Sequence, residues 1–140
     1  CFGVWQWITR KSLKKVDIDL FALAACYVVL VLIYLLFELV IVNYRPVLMD
    51  GFLEASYPSS HTVLVCTIMM TTVFQLKGRV RNKALRRALV SICGLVMILT
   101  VIGRLLSGVH WYTDVLAGIF LSGTLAYCYF GVTFLLKATK

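Results

Sequence analysis

Both histidines of this chain lie beside residues that suit acid–base and nucleophilic chemistry. His110 is followed four residues later by Asp114, so the two side chains can share one face of a helix. A carboxylate in that position could hold one imidazole nitrogen and leave the other free to act as a nucleophile. His61 has no carboxylate at a comparable spacing and is suited to donate a proton. The pattern predicts a nucleophile and an acid.

Groups that bind a tetrahedral anion accompany the histidines. Arg45 and Arg104 each carry a planar fork of N–H donors that matches phosphate oxygens. Ser59 or Ser60 is expected to cap the start of a helix, where free N–H groups and the helix dipole favour a bound anion. Together these residues predict phosphoryl transfer through a phosphohistidine, with no metal and no other cofactor required.

Two alternatives compete with that prediction. His61, His110 and Asp114 are acceptable zinc ligands by type, but two neighbouring guanidinium groups would repel the cation. Taken singly, Arg45 and Arg104 could extend toward lipid head groups with no catalytic role. The joint occurrence of all five side chains favours the phosphate site.

The composition defines the setting of this chemistry. The chain has 140 residues, of which 61% are hydrophobic and 14% are charged, and its mean hydropathy is +0.93. Soluble domains contain about 45–50% apolar and about 25% charged residues. The composition therefore excludes a soluble domain and a disordered chain, and it indicates an integral membrane protein.

A high net charge could indicate nucleic-acid binding, and several cysteines could indicate disulfides or a metal cluster, but the positions of these residues support neither. The net charge is +8, yet the basic residues form short patches between apolar runs, so we expect no nucleic-acid partner. The five cysteines show no paired spacing, and four of them lie in apolar segments. They are expected to pack as small hydrophobic residues.

Four segments are long enough to span a bilayer, which requires roughly 20 apolar residues. They cover about residues 20–42, 60–76, 88–106 and 114–136. All four should be helices, because lipid offers no partners to the backbone. The predicted fold class is thus an all-α transmembrane bundle. Residues 17–140 are interpreted as one membrane domain, and residues 1–16 as the end of an earlier span or an interfacial segment with a basic loop.

The basic residues predict the orientation, because Lys and Arg are enriched on the cytoplasmic side. If the four spans alternate in direction, twelve of the fourteen basic residues fall on one side. The chain is then expected in a plasma membrane of bacterial type, with membrane lipids as partners. The opposite, outer side would carry Arg45, Arg104, His61, His110 and Asp114.

At these residues the chain resembles the type-2 phosphatidic acid phosphatase superfamily, membrane lipid phosphatases related to vanadium haloperoxidases. That family carries Lys, six residues, Arg-Pro; then Pro-Ser-Gly-His; then Ser-Arg, five residues, His, three residues, Asp. The resemblance covers about residues 20–136, is most specific over residues 108–118, and relates the four spans to the last four of six. The matching residues are Arg45-Pro46, Pro58-Ser59-Ser60-His61, Arg104, His110 and Asp114.

The resemblance implies a role for each of these residues. His110 would attack phosphorus, Asp114 would orient it, and His61 would protonate the leaving oxygen. The implied reaction is metal-independent hydrolysis of a lipid phosphate or diphosphate at the outer membrane face. Phosphatidic acid, phosphatidylglycerol phosphate and undecaprenyl diphosphate are the expected kinds of substrate. The phosphoryl oxygens would be held by Arg45, Ser59, Arg104 and the backbone N–H of Ser60 or His61.

The chain departs from the family pattern at three positions. Glu38 stands where the first motif has Lys, Gly103 replaces Ser, and Ser60 replaces Gly. Loss of one charged hydrogen bond to phosphate would cost roughly 1.5–3 kcal/mol. Glu38 is either a structural residue that extends to the interface or one that tunes substrate choice. Two other functions stay open. A lipid phosphotransferase would use the same histidines, and the sequence alone does not separate it from a phosphatase. Glu38 and Gly103 are the only support for a catalytically silent lipid-binding protein.

The two histidines also predict a pH response. A neutral His110 and a protonated His61 would give a bell-shaped profile, because unperturbed imidazole titrates near pH ~6.5. Vanadate is expected to bind at the same site, because it can mimic the pentavalent transition state.

Overall fold

Four α-helices make up the described part of the chain, residues 17–138 of a computed structural model. No strand occurs within these residues, so the predicted all-α class is confirmed, with helix ends shifted by a few residues. The interpretation of residues 1–16 lies outside the described residues. The helices are α1, Ile18–Leu39; α2, Ser60–Arg79; α3, Lys83–Leu106; and α4, Tyr112–Ala138.

Contacts between helix ends show that consecutive helices run in opposite directions, so that α2 and α4 run parallel. Arg79 at the end of α2 binds Asp17 and Asp19 at the start of α1, with N–O distances of 3.1 and 2.8 Å. At the other end, the Ser59 N–H before α2 donates to the backbone oxygen of Asp114 in the first turn of α4, at 3.0 Å. Residues 40–59 and 107–111 therefore meet at one end of the bundle, referred to below as the loop end.

The outer surface of the bundle suits lipid. Helices α1, α3 and α4 are each long and apolar enough to cross a membrane. Large apolar side chains on α1 remain exposed, among them Val28, Leu32 and Leu36. A surface of this kind is stable in a bilayer and unfavourable in water. The protein is accordingly an integral membrane protein.

Helix α2 was predicted as a fourth span, but within residues 17–138 it is not among the helices that are apolar enough to cross a membrane. Its most extensive contacts are with α4 and α3, so protein covers much of it in place of lipid. Thr62, Thr67 and Thr71 are fully buried on this helix. The Thr71 hydroxyl donates to the Thr67 carbonyl at 2.8 Å, which satisfies a polar group inside the bundle.

A close approach of α2 and α4 fixes the geometry of the loop end. A Cβ atom at Gly118 would lie 2.9 Å from the Thr62 Cβ and 3.3 Å from the Ser59 carbonyl oxygen. Only glycine leaves room for this approach, which brings the start of α2 against the first turns of α4. The position of Asp114 relative to Ser59 depends on that contact.

We expect Gly118→Ala to destabilise the protein by about 1–3 kcal/mol, because the added methyl group meets a branched side chain and backbone. The midpoint of thermal unfolding in detergent micelles measures this effect. Gly123→Ala is the matched control, since it lies in the same helix with nothing within 4 Å of the added atom. Equal midpoints for the two variants would contradict the packing argument.

Candidate active site

The segment between α1 and α2 folds back on itself as a hairpin, which brings two polar residues to the loop end. Asp50 and Gly51 form its turn with φ angles of 49° and 83°, and positive values at both positions are what a type I′ hairpin turn requires. The Arg45 N–H donates to the Glu54 carbonyl across the hairpin at 3.1 Å. Arg45 thus lies on the outgoing arm, and Ser56 follows on the returning arm.

His110 is delivered by the short turn between α3 and α4. Gly108 has a φ of 65° there, a left-handed conformation that glycine adopts more readily than residues with a Cβ atom. The turn places His110 inside the bundle, where only 6% of its surface is exposed. Gly108 therefore shapes the connection that delivers His110.

The hydrogen bonds of His110 fix which of its nitrogens carries the proton. Nδ1 lies 3.1 Å from the Ser56 hydroxyl oxygen and 3.1 Å from the Ser56 carbonyl oxygen. A carbonyl oxygen can only accept, so Nδ1 carries the hydrogen and Nε2 does not. Nε2 is buried and has no hydrogen-bond partner within the described residues. Its lone pair is therefore available for nucleophilic attack.

Asp114 lies close to His110 but does not hold it directly. Its Oδ2 is 3.9 Å from His110 Nδ1, too far for a hydrogen bond. The same oxygen accepts from the Ser56 hydroxyl and from the Trp111 N–H, the latter at 3.0 Å. Ser56 therefore stands between the carboxylate and the imidazole. The sequence spacing had indicated a direct contact, and Ser56 was missed because 54 residues separate it from His110.

Two arginines give the site its positive charge. Burial, followed by the charges of Arg104 and Arg45, lowers the pKa of His110 to about 4. Asp114 and the Ser56 carbonyl act in the opposite direction but do not prevail. His110 is therefore neutral at physiological pH, as a nucleophile requires. His110 therefore takes up a proton only at a pH well below the value of ~6.5 expected for free imidazole.

Each arginine retains N–H donors that could bind an anion. The Nε of Arg45 lies 3.2 Å from a carboxylate oxygen of Glu54, an ion pair without hydrogen-bond geometry. The Nε of Arg104 is buried without a partner among residues 17–138. Within the same residues, no three His, Cys, Asp or Glu side chains are placed to hold a metal ion.

A cavity of about 750 Å³ joins several of these groups. It runs between α1 and α2, where its walls are apolar side chains such as Leu30, Phe37 and Leu64. One cavity thus combines histidine and arginine side chains with an apolar channel. The sequence-predicted residues that line it are Glu38, Arg45, Ser60, His61 and His110, joined by Glu54 and Ser56.

Ser59, Arg104 and Asp114 do not line this cavity within the described part of the chain. Ser59 occupies the N-cap position of α2, but its side chain makes no capping bond. It is fully buried, and its oxygen accepts from the Thr62 hydroxyl at 3.0 Å. Ser59 thus connects α2 to α4 through its backbone.

The helices define an integral membrane protein whose loop end brings two histidines and two arginines close together. A family model described as the PAP2 superfamily matches residues 20–137, and the chain belongs to that superfamily. Its members are phosphatases, so family membership supports phosphatase-type activity on lipid phosphates. The chain has no significant match among curated proteins or among solved structures.

Histidine-selective ¹⁵N NMR in micelles should show His110 as the Nδ1–H tautomer, with a titration midpoint near pH 4. Burial and the two arginines disfavour the imidazolium, so the signal should not move between pH 8 and about 5.5. The chain has two histidines, and His61→Asn leaves one and assigns the signal. A midpoint near pH ~6.5, or an Nε2–H tautomer, would contradict the geometry described here.

Proposed function

We propose that the protein hydrolyses a lipid phosphate or diphosphate through a phosphohistidine formed on His110. The observation that carries the proposal is the unprotonated Nε2 of His110, which has no hydrogen-bond partner among residues 17–138, in a residue that lines a cavity with His61 and Arg45. Family membership supplies independent support for the class of reaction.

In the first step, Nε2 of His110 forms a bond to phosphorus while the bond from phosphorus to the lipid oxygen breaks. Protonated His61 gives its proton to that oxygen, which leaves as an alcohol or a lipid monophosphate. The imidazole of His110 then carries positive charge, with the Asp114 carboxylate nearby as its counter-charge.

In the second step, water attacks phosphorus and neutral His61 accepts its proton. The bond from Nε2 to phosphorus breaks, which releases phosphate and returns His110 as the neutral Nδ1–H tautomer. Arg45, Arg104 and the backbone at Ser60 would hold the phosphoryl oxygens in both steps, where the start of α2 adds its dipole. Ser59 is assigned a smaller part, since its hydroxyl is already bound to Thr62.

The cavity favours a lipid substrate over a soluble one. Apolar side chains of α1 and α2, including Leu30, Ile33 and Leu64, line it beyond the polar groups. A lipid tail would bury apolar surface there, while the phosphate meets Arg45. Arg81 lies between α2 and α3, and Lys83 is the first residue of α3. Both are at the opposite end of the bundle from the site, which supports an outward-facing site by the positive-inside tendency.

Glu38 and Glu54 give specific support to a second candidate, a lipid phosphotransferase. Both carboxylates line the cavity, and Glu54 pairs with Arg45. They reduce its positive charge, and either could accept a hydrogen bond from an acceptor alcohol. The same phosphohistidine would then pass its phosphoryl group to a lipid hydroxyl in place of water.

Purified protein in detergent should release phosphate from at least one of phosphatidic acid, phosphatidylglycerol phosphate or undecaprenyl diphosphate, with a chelator present. His110→Ala should lower the rate by about a thousandfold or more, because the nucleophile is lost. Ser107→Ala is the control, since this hydroxyl lies in the same turn, is exposed and donates to the Arg104 carbonyl.

Three outcomes of that assay would overturn the hydrolase proposal. Undiminished turnover by His110→Ala would exclude His110 as the nucleophile. A new phospholipid with little free phosphate would identify a phosphotransferase. No turnover on any of the lipids, together with no vanadate binding, would indicate a silent lipid-binding protein.

Glu38→Lys should raise kcat/KM for a lipid phosphomonoester by up to about tenfold, because it replaces a repulsive charge with a donor to phosphate. Glu38→Gln is the matched control and should give a smaller gain, since it removes repulsion only. Phosphate-release kinetics compare the two variants. A Lys variant no faster than the Gln variant would show that Glu38 does not face the phosphate.

A further inference from the structure

We propose that Ser56 is a positioning residue, whose hydroxyl links the Asp114 carboxylate to Nδ1 of His110 and thereby fixes the nucleophile. This inference rests on the proposed function for its catalytic consequence. It rests on the hydrogen-bond geometry alone for the link itself. Ser56 lies outside the three sequence motifs that indicated the site.

Counting donors and acceptors gives the direction of each bond. The Ser56 hydroxyl has one hydrogen, and it points to Asp114 Oδ2 because a carboxylate can only accept. The hydroxyl oxygen then accepts from Nδ1–H of His110, at 3.1 Å. The Ser56 carbonyl accepts from the same N–H at 3.1 Å. Ser56 therefore offers two acceptors to Nδ1 and relays the negative charge of the Asp114 carboxylate to it.

The surroundings hold Ser56 in this place. It is 2% exposed, and its own N–H donates to the Asn43 carbonyl at 2.9 Å on the opposite arm of the hairpin. On the other side, the Trp111 N–H donates to Asp114 Oδ2 at 3.0 Å. The carboxylate oxygen is thus fixed by α4, and the serine is fixed by the hairpin. The hydrogen bond between the hairpin and α4 therefore fixes the orientation of the imidazole.

The link matters most when the imidazole becomes charged. Attack on phosphorus by Nε2 leaves positive charge on the ring, which the two arginines disfavour. The carboxylate opposes them through the polarised hydroxyl, at a separation of 3.9 Å from Nδ1. The charges that act on His110 come from Arg104 on α3, Arg45 on the hairpin and Asp114 on α4. The other titratable groups that line the same cavity are Glu38 on α1, Glu54 on the hairpin and His61 on α2.

Ser56→Ala should lower kcat for phosphate release by about ten- to a hundredfold and change KM little, since a bond to the charged intermediate is lost. The NMR titration midpoint of His110 should fall, because its imidazolium loses the relayed charge. Ser122→Ala is the matched control, an equally buried serine on α4 that bonds the Ile119 carbonyl. It should leave kcat and the His110 spectrum unchanged.

A double-mutant cycle with Asp114→Asn sharpens the test. If Ser56 acts by relaying that carboxylate, adding Ser56→Ala to Asp114→Asn should cause little further loss of kcat. Independent, multiplying losses would overturn the proposal, as would a Ser56→Ala variant with wild-type kcat and an unchanged His110 spectrum. The NMR readout needs no turnover, so a wild-type protein that releases no phosphate would refute the proposed function while the Ser56 link is still measured.

Discussion

The site depends on one electrostatic constraint: a buried imidazole must stay neutral, with a fixed proton, beside two arginines. Burial and the charges of Arg104 and Arg45 both act against an imidazolium at His110. The proton of the neutral ring is held on Nδ1 by Ser56, and Asp114 in turn holds Ser56. A buried polar group without a partner costs free energy, so each hydrogen bond between Asp114, Ser56 and His110 restricts the orientation of the next side chain. The lone pair of Nε2 is what the arrangement leaves unused.

The rest of the bundle positions that chain of contacts. The hairpin contributes Ser56, α4 contributes Asp114, and the close packing at Gly118 brings α4 against the start of α2. Helix α2 is packed mainly against α3 and α4 and carries buried threonines, so its polar face needs no contact with lipid. The apolar surfaces of α1, α3 and α4 place this polar interior inside a membrane. The same helix contacts thus support both stability and chemistry, and a substitution at Gly118 should affect both.

Much of this could be predicted from the sequence, and the failures have physical causes. Composition and apolar runs predicted the helical class, because lipid forces a simple pattern on each outer helix. The interior helix α2 was the weakest prediction as a span, since protein contacts relax that pattern. The spacing of His110 and Asp114 correctly indicated proximity, but it suggested direct contact. The role of Ser56 was missed because its partners, His110 and Asp114, are distant in sequence. The hairpin was also missed, although the Asp50-Gly51 turn was one local signal that could have revealed it.

The central claim is that phosphorus bonds to Nε2 of His110, because that nitrogen is unprotonated and has no hydrogen-bond partner in the part of the chain that the structure describes. The most direct test is a rapid quench into alkali during turnover of ³²P-labelled lipid phosphate, followed by digestion and identification of the labelled peptide and nitrogen. The account predicts label on Nε2 of His110. Label on His61, or on Nδ1 of His110, would contradict it.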